Sequence, residues 1–309
     1  MPLLKLIRLP NLVIVAITQL LLYYFLLRPS LLNEGIAMSL PPVEFLYFIV
    51  TTLLISAAGF IINDILDYET DMMNDPSAVI IHRKISLQAS YWLYYTLNLT
   101  GFTLALCLAF FVGEIRLANI FLLASGGLYL YSRFLKKTPL LGNLLIAAYC
   151  AGVAWIVWFS HQAPLEELFQ INQTEHLRIR TIFLWYIGFA FIATLFRELV
   201  KDLEDLDGDA KSGYNTLPVS LGVSGAKAVA GFCGLFLLGG VVMLLVNYAF
   251  LFYPSGTVFI LTGIIIPIIL ALFLLLRAKN KAHYYRISQL AKWIMLAGLL
   301  LLLFTENQL

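Results

Sequence analysis

Nine apolar stretches of about twenty residues punctuate this chain, at about 10–28, 43–63, 91–112, 117–134, 140–160, 181–200, 226–248, 256–276 and 290–305. A helix rising 1.5 Å per residue crosses a hydrocarbon layer of about 30 Å in roughly twenty residues. The runs are continuous rather than alternating, which excludes a transmembrane barrel of short dyad-patterned strands. With 61% of residues hydrophobic and 12% charged, the chain is too apolar for a water-soluble domain. The expectation is an all-α, polytopic membrane protein, a bundle of about nine transmembrane helices. Residues 1–309 read as a single membrane domain. Lys5 and Arg8 precede a first stretch without a small-residue cleavage signal, so that stretch is expected to be a retained span.

Lysine and arginine in short loops orient such a bundle. Counting the N-terminus and every second loop after it as one side places 16 of the 20 basic residues there. The other side holds only Arg28, Arg116, Arg178 and Arg180. The crowded side, with the N-terminus, is therefore expected to be cytoplasmic. The far-side connection at 161–180 reads as an ordinary polar loop. No long basic tract is present, so a nucleic-acid partner is not expected. Cys107, Cys150 and Cys233 lie inside apolar runs and read as small core side chains. The four histidines form no zinc-binding spacing.

Against this background an acidic pattern occurs twice. Asp64, Asp67 and Asp71 are spaced D-x-x-D-x-x-x-D, and Asp202, Asp205 and Asp209 repeat the spacing 138 residues later. Eleven of the 18 acidic residues fall in 64–75 and 198–209, both at span ends on the cytoplasmic side. Steps of three, four and seven keep side chains on one helical face. Like charges at that spacing repel, and a hard cation relieves the repulsion. All-oxygen ligands without His or Cys suit Mg²⁺ or Mn²⁺. Mg²⁺ takes one or two carboxylates and completes its shell with water and substrate phosphate. Two facing stripes could each hold one ion, with a diphosphate bridging them. Asn63 adds a neutral oxygen beside the first stripe, and Lys201 a positive charge beside the second. Gly208, Gly213 and Thr216-Leu217-Pro218 read as a turn into the next span. The segment Tyr131-Ser132-Arg133-Phe134-Leu135-Lys136-Lys137 ends the fourth span on the same side, making Lys136 and Arg133 candidate anion ligands.

These residues resemble the UbiA superfamily of intramembrane prenyltransferases. Residues 63–71 match its first motif, N-D-x-x-D-x-x-x-D, at every fixed position. Residues 201–209 look like the second, whose core maps to Asp205 and Asp209, and Tyr131 to Lys136 with Gly142-Asn143 is similar to the family's loop after the fourth span. The resemblance implies Mg²⁺-dependent transfer of a prenyl group from a prenyl diphosphate to a lipophilic acceptor. It implies that Asp67, Asp71, Asp205 and Asp209, with Asn63, Asp64 and Asp202, hold two Mg²⁺ ions. Lys136, Arg133, Lys201 and Tyr131 would face the diphosphate. One departure stands out: Ala78 occupies the place of an arginine that often follows the first motif, and Arg83 or Lys84 would have to replace it.

Arg197-Glu198-Leu199-Val200-Lys201-Asp202 and Thr216-Leu217-Pro218 look most like the branch that alkylates geranylgeranylglyceryl phosphate with geranylgeranyl diphosphate. Aromatic acceptors of quinone-precursor, homogentisate or porphyrin type are the alternative. A divalent-cation transporter is the non-enzyme alternative, but transport sites lie near mid-membrane, whereas these acids lie at span ends. The expected location is the plasma membrane of a prokaryote, among membrane lipid, with the site facing the cytoplasm.

Overall fold

A computed structural model describes residues 2–74 and 79–305, and among them every apolar stretch is helical. The helices are α1 (Pro2–Leu6), α2 (Leu9–Leu21), α3 (Arg28–Asn33), α4 (Pro42–Leu66), α5 (Tyr68–Asn74), α6 (Leu87–Val112) and α7 (Arg116–Arg133). They continue as α8 (Leu141–Phe159), α9 (Gln162–Ile171), α10 (Gln173–Lys211), α11 (Leu217–Tyr248), α12 (Pro254–Phe259), α13 (Ile266–Arg277) and α14 (Lys281–Leu300). A π-helical turn at 22–27 joins α2 to α3, and another at 260–265 joins α12 to α13, so each set forms one bent rod. Among the described residues, eight rods are long and apolar enough to cross a membrane. The ninth, α7, is an 18-residue helix over the expected fourth span, made more polar by Asn119, Ser125, Gly126 and Gly127.

Two expectations are corrected here. The 161–180 connection is not a loop: it contains α9 and the first two turns of α10, which starts at an Asn172 side-chain cap on the Glu175 amide. Glu175 pairs with Arg178 at 2.7 Å on that first turn. Nor does the second acidic segment follow a span that ends near 200. α10 runs 39 residues, about 58 Å, so its last turns project well past a hydrocarbon layer of about 30 Å. Gly208 is accordingly helical and buried, and the turn begins at Ser212, with Gly213 at φ 72°.

α10 is the organising rod. It packs against α8, α11 and α14, while α4 packs against α6 and α7. α2 lies between the two groups and touches α4 and α8. Because lipid tails are as apolar as leucine, helix association here depends on close packing, which small residues allow. Gly298 of α14 receives the Phe189 ring of α10, where any side chain would collide with it. A smaller cluster seals the C-terminal end of α4. There Leu6 of α1 is fully buried with Ile61, Ile62 and Ile65, which brings the N-terminal segment down onto the first acidic motif.

Candidate active site

The C-terminal ends of α4, α7 and α10, with the short α5, bring both acidic segments and the 131–137 segment together. α4 bends at Asp67, whose backbone (φ −93°, ψ −2°) ends one helix while its amide still bonds to the Asn63 carbonyl. The Asp71 amide in turn bonds to the Asp67 carbonyl, so the stripe continues onto α5, which packs against α10. The second stripe lies entirely on α10. Asp205 is near enough to raise the Asp71 carboxyl, and α5 packs against α10, so the two stripes lie close together.

The six aspartates are not equivalent. Asp64 accepts from the Arg8 guanidinium at 2.9 Å, and Asp202 accepts from the Asn143 amide at 2.9 Å. The buried Asp67 is paired with the Lys136 ammonium and takes a hydrogen bond from the Tyr214 hydroxyl at 3.3 Å. Among the described residues, Asp71 and Asp205 have no side-chain hydrogen bond or ion pair. Burial pushes Asp71 up to about 6, with Asp64 adding to the rise and Arg8 and Lys201 opposing it. These unpartnered, half-buried carboxylates carry the charge that a cation would balance.

Lys136 is held from several sides. It sits in a short 3-10 turn, 135–137, whose backbone lies against Gly142 at the start of α8. A Cβ on Gly142 would come within 2.8 Å of the Lys136 Cα, so only glycine permits this approach. The Asn215 amide bonds to the Lys137 carbonyl at 3.0 Å, tying the turn to the α10–α11 connection. Burial, with the neighbouring Lys137 ammonium, depresses the Lys136 ammonium to about 7. Lys201 lies within electrostatic range of Lys136, Asp71 and Asp209. Tyr131 lies within range of Glu198, Asp202 and Asp209, and Asn63 meets the Ser132 hydroxyl at 3.5 Å.

Two expected anion ligands stand apart. Arg133 is exposed and lies over the Phe134 ring, and Arg83 is exposed in the turn at 80–85. Ala78 lies outside the described residues. Conversely, Arg8 and Tyr214 join the site although the sequence did not single them out, and Asn143, met there only as part of the loop resemblance, gains a partner in Asp202. Arg8 was legible only as positive-inside charge; here it turns through a left-handed backbone (φ 50°) and stacks over Phe60 at 5.1 Å while pairing with Asp64. Tyr214 has no pattern signal at all. Its hydroxyl accepts from Thr70 at 3.0 Å and donates to Asp67, and its ring lies under the Lys136 and Lys137 ammonium groups at 6.0 and 5.2 Å. Tyr214→Phe keeps the ring and loses both bonds. It is expected to lower turnover about tenfold, the weight of one charge-assisted hydrogen bond, with secondary structure unchanged by circular dichroism.

No three His, Cys, Asp or Glu side chains among the described residues close on a single point. The donor set is all oxygen, so the residues present fit Mg²⁺. An apolar cavity of about 490 Å³ lies away from this polar end, lined by Trp185, Phe189 and Ile192 of α10, Leu237 and Leu244 of α11, and Gly298 of α14. Ile192 is ten residues from Asp202, about 15 Å along α10.

The UbiA prenyltransferase family model matches residues 30–303, nearly the whole chain and all of these site elements except α1 and Arg8. The chain belongs to that family. It is a prenyltransferase, an all-α integral membrane enzyme of the UbiA type. It is 32% identical to the digeranylgeranylglyceryl phosphate synthase of Korarchaeum cryptofilum over 250 residues, 80% of each chain. A solved structure of digeranylgeranylglyceryl phosphate synthase superposes with a TM-score of 0.67 at 24% identity, covering 97% of this chain and 96% of that one. A UbiA homolog from Archaeoglobus fulgidus, solved bound to GPP and Mg²⁺, superposes with a TM-score of 0.54 at 15% identity, covering 98% and 99%.

Proposed function

We propose that the enzyme transfers a geranylgeranyl group from its diphosphate to geranylgeranylglyceryl phosphate, using Mg²⁺ held between the two acidic stripes. The observation that carries the donor half is the closeness of Asp71 and Asp205, both without a side-chain partner among the described residues, with Lys136 and Lys201 each within electrostatic range of both stripes. The relatives named for digeranylgeranylglyceryl phosphate synthesis support the acceptor half. The Archaeoglobus homolog bound to GPP and Mg²⁺ supports the metal. We assign two ions, with Mn²⁺ an acceptable substitute, and read residues 1–309 as one domain in the plasma membrane of a prokaryote. The bias of basic residues puts the site and the N-terminus on the cytoplasmic side.

In this reading Asp67, Asp71, Asp205 and Asp209, with the Asn63 amide oxygen, hold the ions. Asp64 and Asp202 serve indirectly, by fixing Arg8 and Asn143. The ions, when bound, neutralise the diphosphate and make it a better leaving group. Lys136, which pairs with Asp67, would donate to a diphosphate oxygen, and Lys201 would donate from the second stripe. Tyr131 and Tyr214 border the same space, and Tyr214 keeps Lys136 aimed into it. Arg133 and Arg83 then have no direct part in this arrangement. The allylic C–O bond breaks with its electron pair on the diphosphate, the acceptor hydroxyl oxygen bonds to the carbon, and its proton passes to the departing diphosphate. The chain supplies no nucleophile, so none of its residues is modified. The apolar cavity along α10 gives room for the far end of a long hydrocarbon chain.

The test is a transfer assay with purified protein, Mg²⁺ and labelled geranylgeranyl diphosphate. The panel contains geranylgeranylglyceryl phosphate and hydroxybenzoate, naphthoate, homogentisate and porphyrin acceptors. Label is expected in an ether lipid; label in an aromatic product instead would overturn the acceptor assignment.

A further inference from the structure

α10 carries a second pattern beside its acidic stripe. Arg197, Lys201 and Glu204, spaced by four and three, share one face, while Glu198, Asp202, Asp205 and Asp209 share the neighbouring face. A one-residue step on a helix turns about 100°, so the two faces adjoin along the rod. The antiparallel α14 packs on α10 and brings Lys292 within electrostatic range of Arg197, Lys201, Glu198 and Glu204. Lys281 reaches Glu204 from the cytoplasmic end of the same helix. Arg197 is satisfied by Glu198. Among the described residues, neither Lys201 nor Lys292 has a carboxylate within ion-pair distance.

Lys292 lies about three turns into the rod Lys281–Phe304, beside the exposed Trp293, on the helix that packs against the charged turns of α10. An exposed lysine on a helix can extend its stem and keep its ammonium near water, which accounts for one such residue. It does not account for three cations meeting across two helices, where like charges repel.

We infer that Arg197, Lys201 and Lys292 form a second anion subsite, which takes the phosphate monoester of the lipid acceptor. This rests on the reading above that the acceptor carries a phosphate. Lys201 stands at the boundary, within range of Asp71 and Asp209 on one side and of Lys292 on the other. Two anions bound side by side would thus share it. In a glyceryl phosphate the reacting hydroxyl is only a few bonds from the phosphate, so a phosphate on the basic face of α10 brings that hydroxyl to the edge of the acidic face. The phosphate supplies the charge that Lys201 and Lys292 lack, and Glu198 and Glu204 keep the cluster tolerable when no lipid is bound.

The experiment compares binding of geranylgeranylglyceryl phosphate and of its dephosphorylated alcohol to the full-length enzyme in nanodiscs. Wild type is expected to prefer the phosphate. Lys292→Gln is expected to cut that preference roughly ten- to hundredfold, the range for a hydrogen bond to a charged group. Lys292→Arg should restore it, KM for the prenyl diphosphate should stay put, and Lys279→Gln in the exposed loop should behave as wild type. The double variant Arg197→Gln/Glu198→Gln, which removes a cation together with its partner, reads the same ratio if Lys292→Gln does not fold. An unchanged preference in a folded Lys292→Gln, or no preference in wild type, overturns the subsite. Turnover separates this from the functional reading. Transfer to the phosphate lipid with unchanged preference in the variant sinks the subsite alone. A Lys292-dependent phosphate preference in an enzyme that transfers only to aromatic acceptors sinks the functional reading alone.

Discussion

Asp71→Ala and Asp205→Ala are each expected to lower Mg²⁺-dependent prenyl transfer by at least about a thousandfold while leaving the fold intact. Electrostatic stabilisation of a developing charge is commonly the largest contribution to a rate, and removing one preorganised group costs about a hundred- to a thousandfold. Here the group lost would also be a metal ligand. The fold should survive because neither carboxylate has a protein partner among the described residues, so its removal relieves repulsion rather than breaking a bond. Asp64→Asn and Asp202→Asn should behave differently. Each loosens a partner, Arg8 or Asn143, and should cost activity by only about tenfold. Labelled-product assays, with thermal unfolding as the control, separate the two classes. Activity retained in Asp205→Ala would remove the basis of the two-stripe site. The same carboxylates set a pH response. Asp71, pushed up to about 6 by burial, takes a proton as pH falls through that value. Protons then compete with Mg²⁺, so half-saturating Mg²⁺ should rise below about pH 6 and level off above it.

Lys136→Gln is expected to damage stability and catalysis together. The Lys136–Asp67 pair is nearly buried, with side-chain exposures of 8% and 12%. Removing one partner of a buried pair strands the other charge, at a cost of about 3–5 kcal/mol. In the apo enzyme that should appear as a lowered melting temperature, since Asp67 keeps only its Tyr214 hydrogen bond. Mg²⁺ with inorganic diphosphate should restore more stability to the variant than to wild type, because the ion replaces the missing charge on Asp67. Turnover should fall about a hundred- to a thousandfold and stay low, since the ion cannot replace the donor aimed at the leaving group. Equal stabilisation of variant and wild type by Mg²⁺ and diphosphate would show that Asp67 is not a metal ligand.

Hydropathy and charge were enough to anticipate the helices, because a bilayer forces each spanning segment to satisfy its own backbone. Spacing was enough to anticipate the acidic stripes, because helical periodicity is local. What spacing could not show is how the six aspartates divide. Asp64 and Asp67 look alike in the chain, yet one meets Arg8 and the other meets Lys136 and Tyr214, residues 56, 69 and 147 positions away. The long α10 was underestimated because its charged last turns look like a loop to a hydropathy window. They continue one unbroken helix, Gln173–Lys211, that packs along its length against α8, α11 and α14.

The amino-acid sequence by itself therefore determined an all-α membrane bundle and two matched carboxylate rows at one end of it. These properties follow from the chain's transfer free energy and from local helical geometry. Only the tertiary structure decided which carboxylates remain free for a cation, that Tyr214 and Gly142 hold Lys136 in place, and that Lys292 comes within electrostatic range of Arg197 and Lys201. Those facts depend on contacts between distant segments, and side chains at such contacts are selected by the packing of whole helices rather than by their neighbours in the chain.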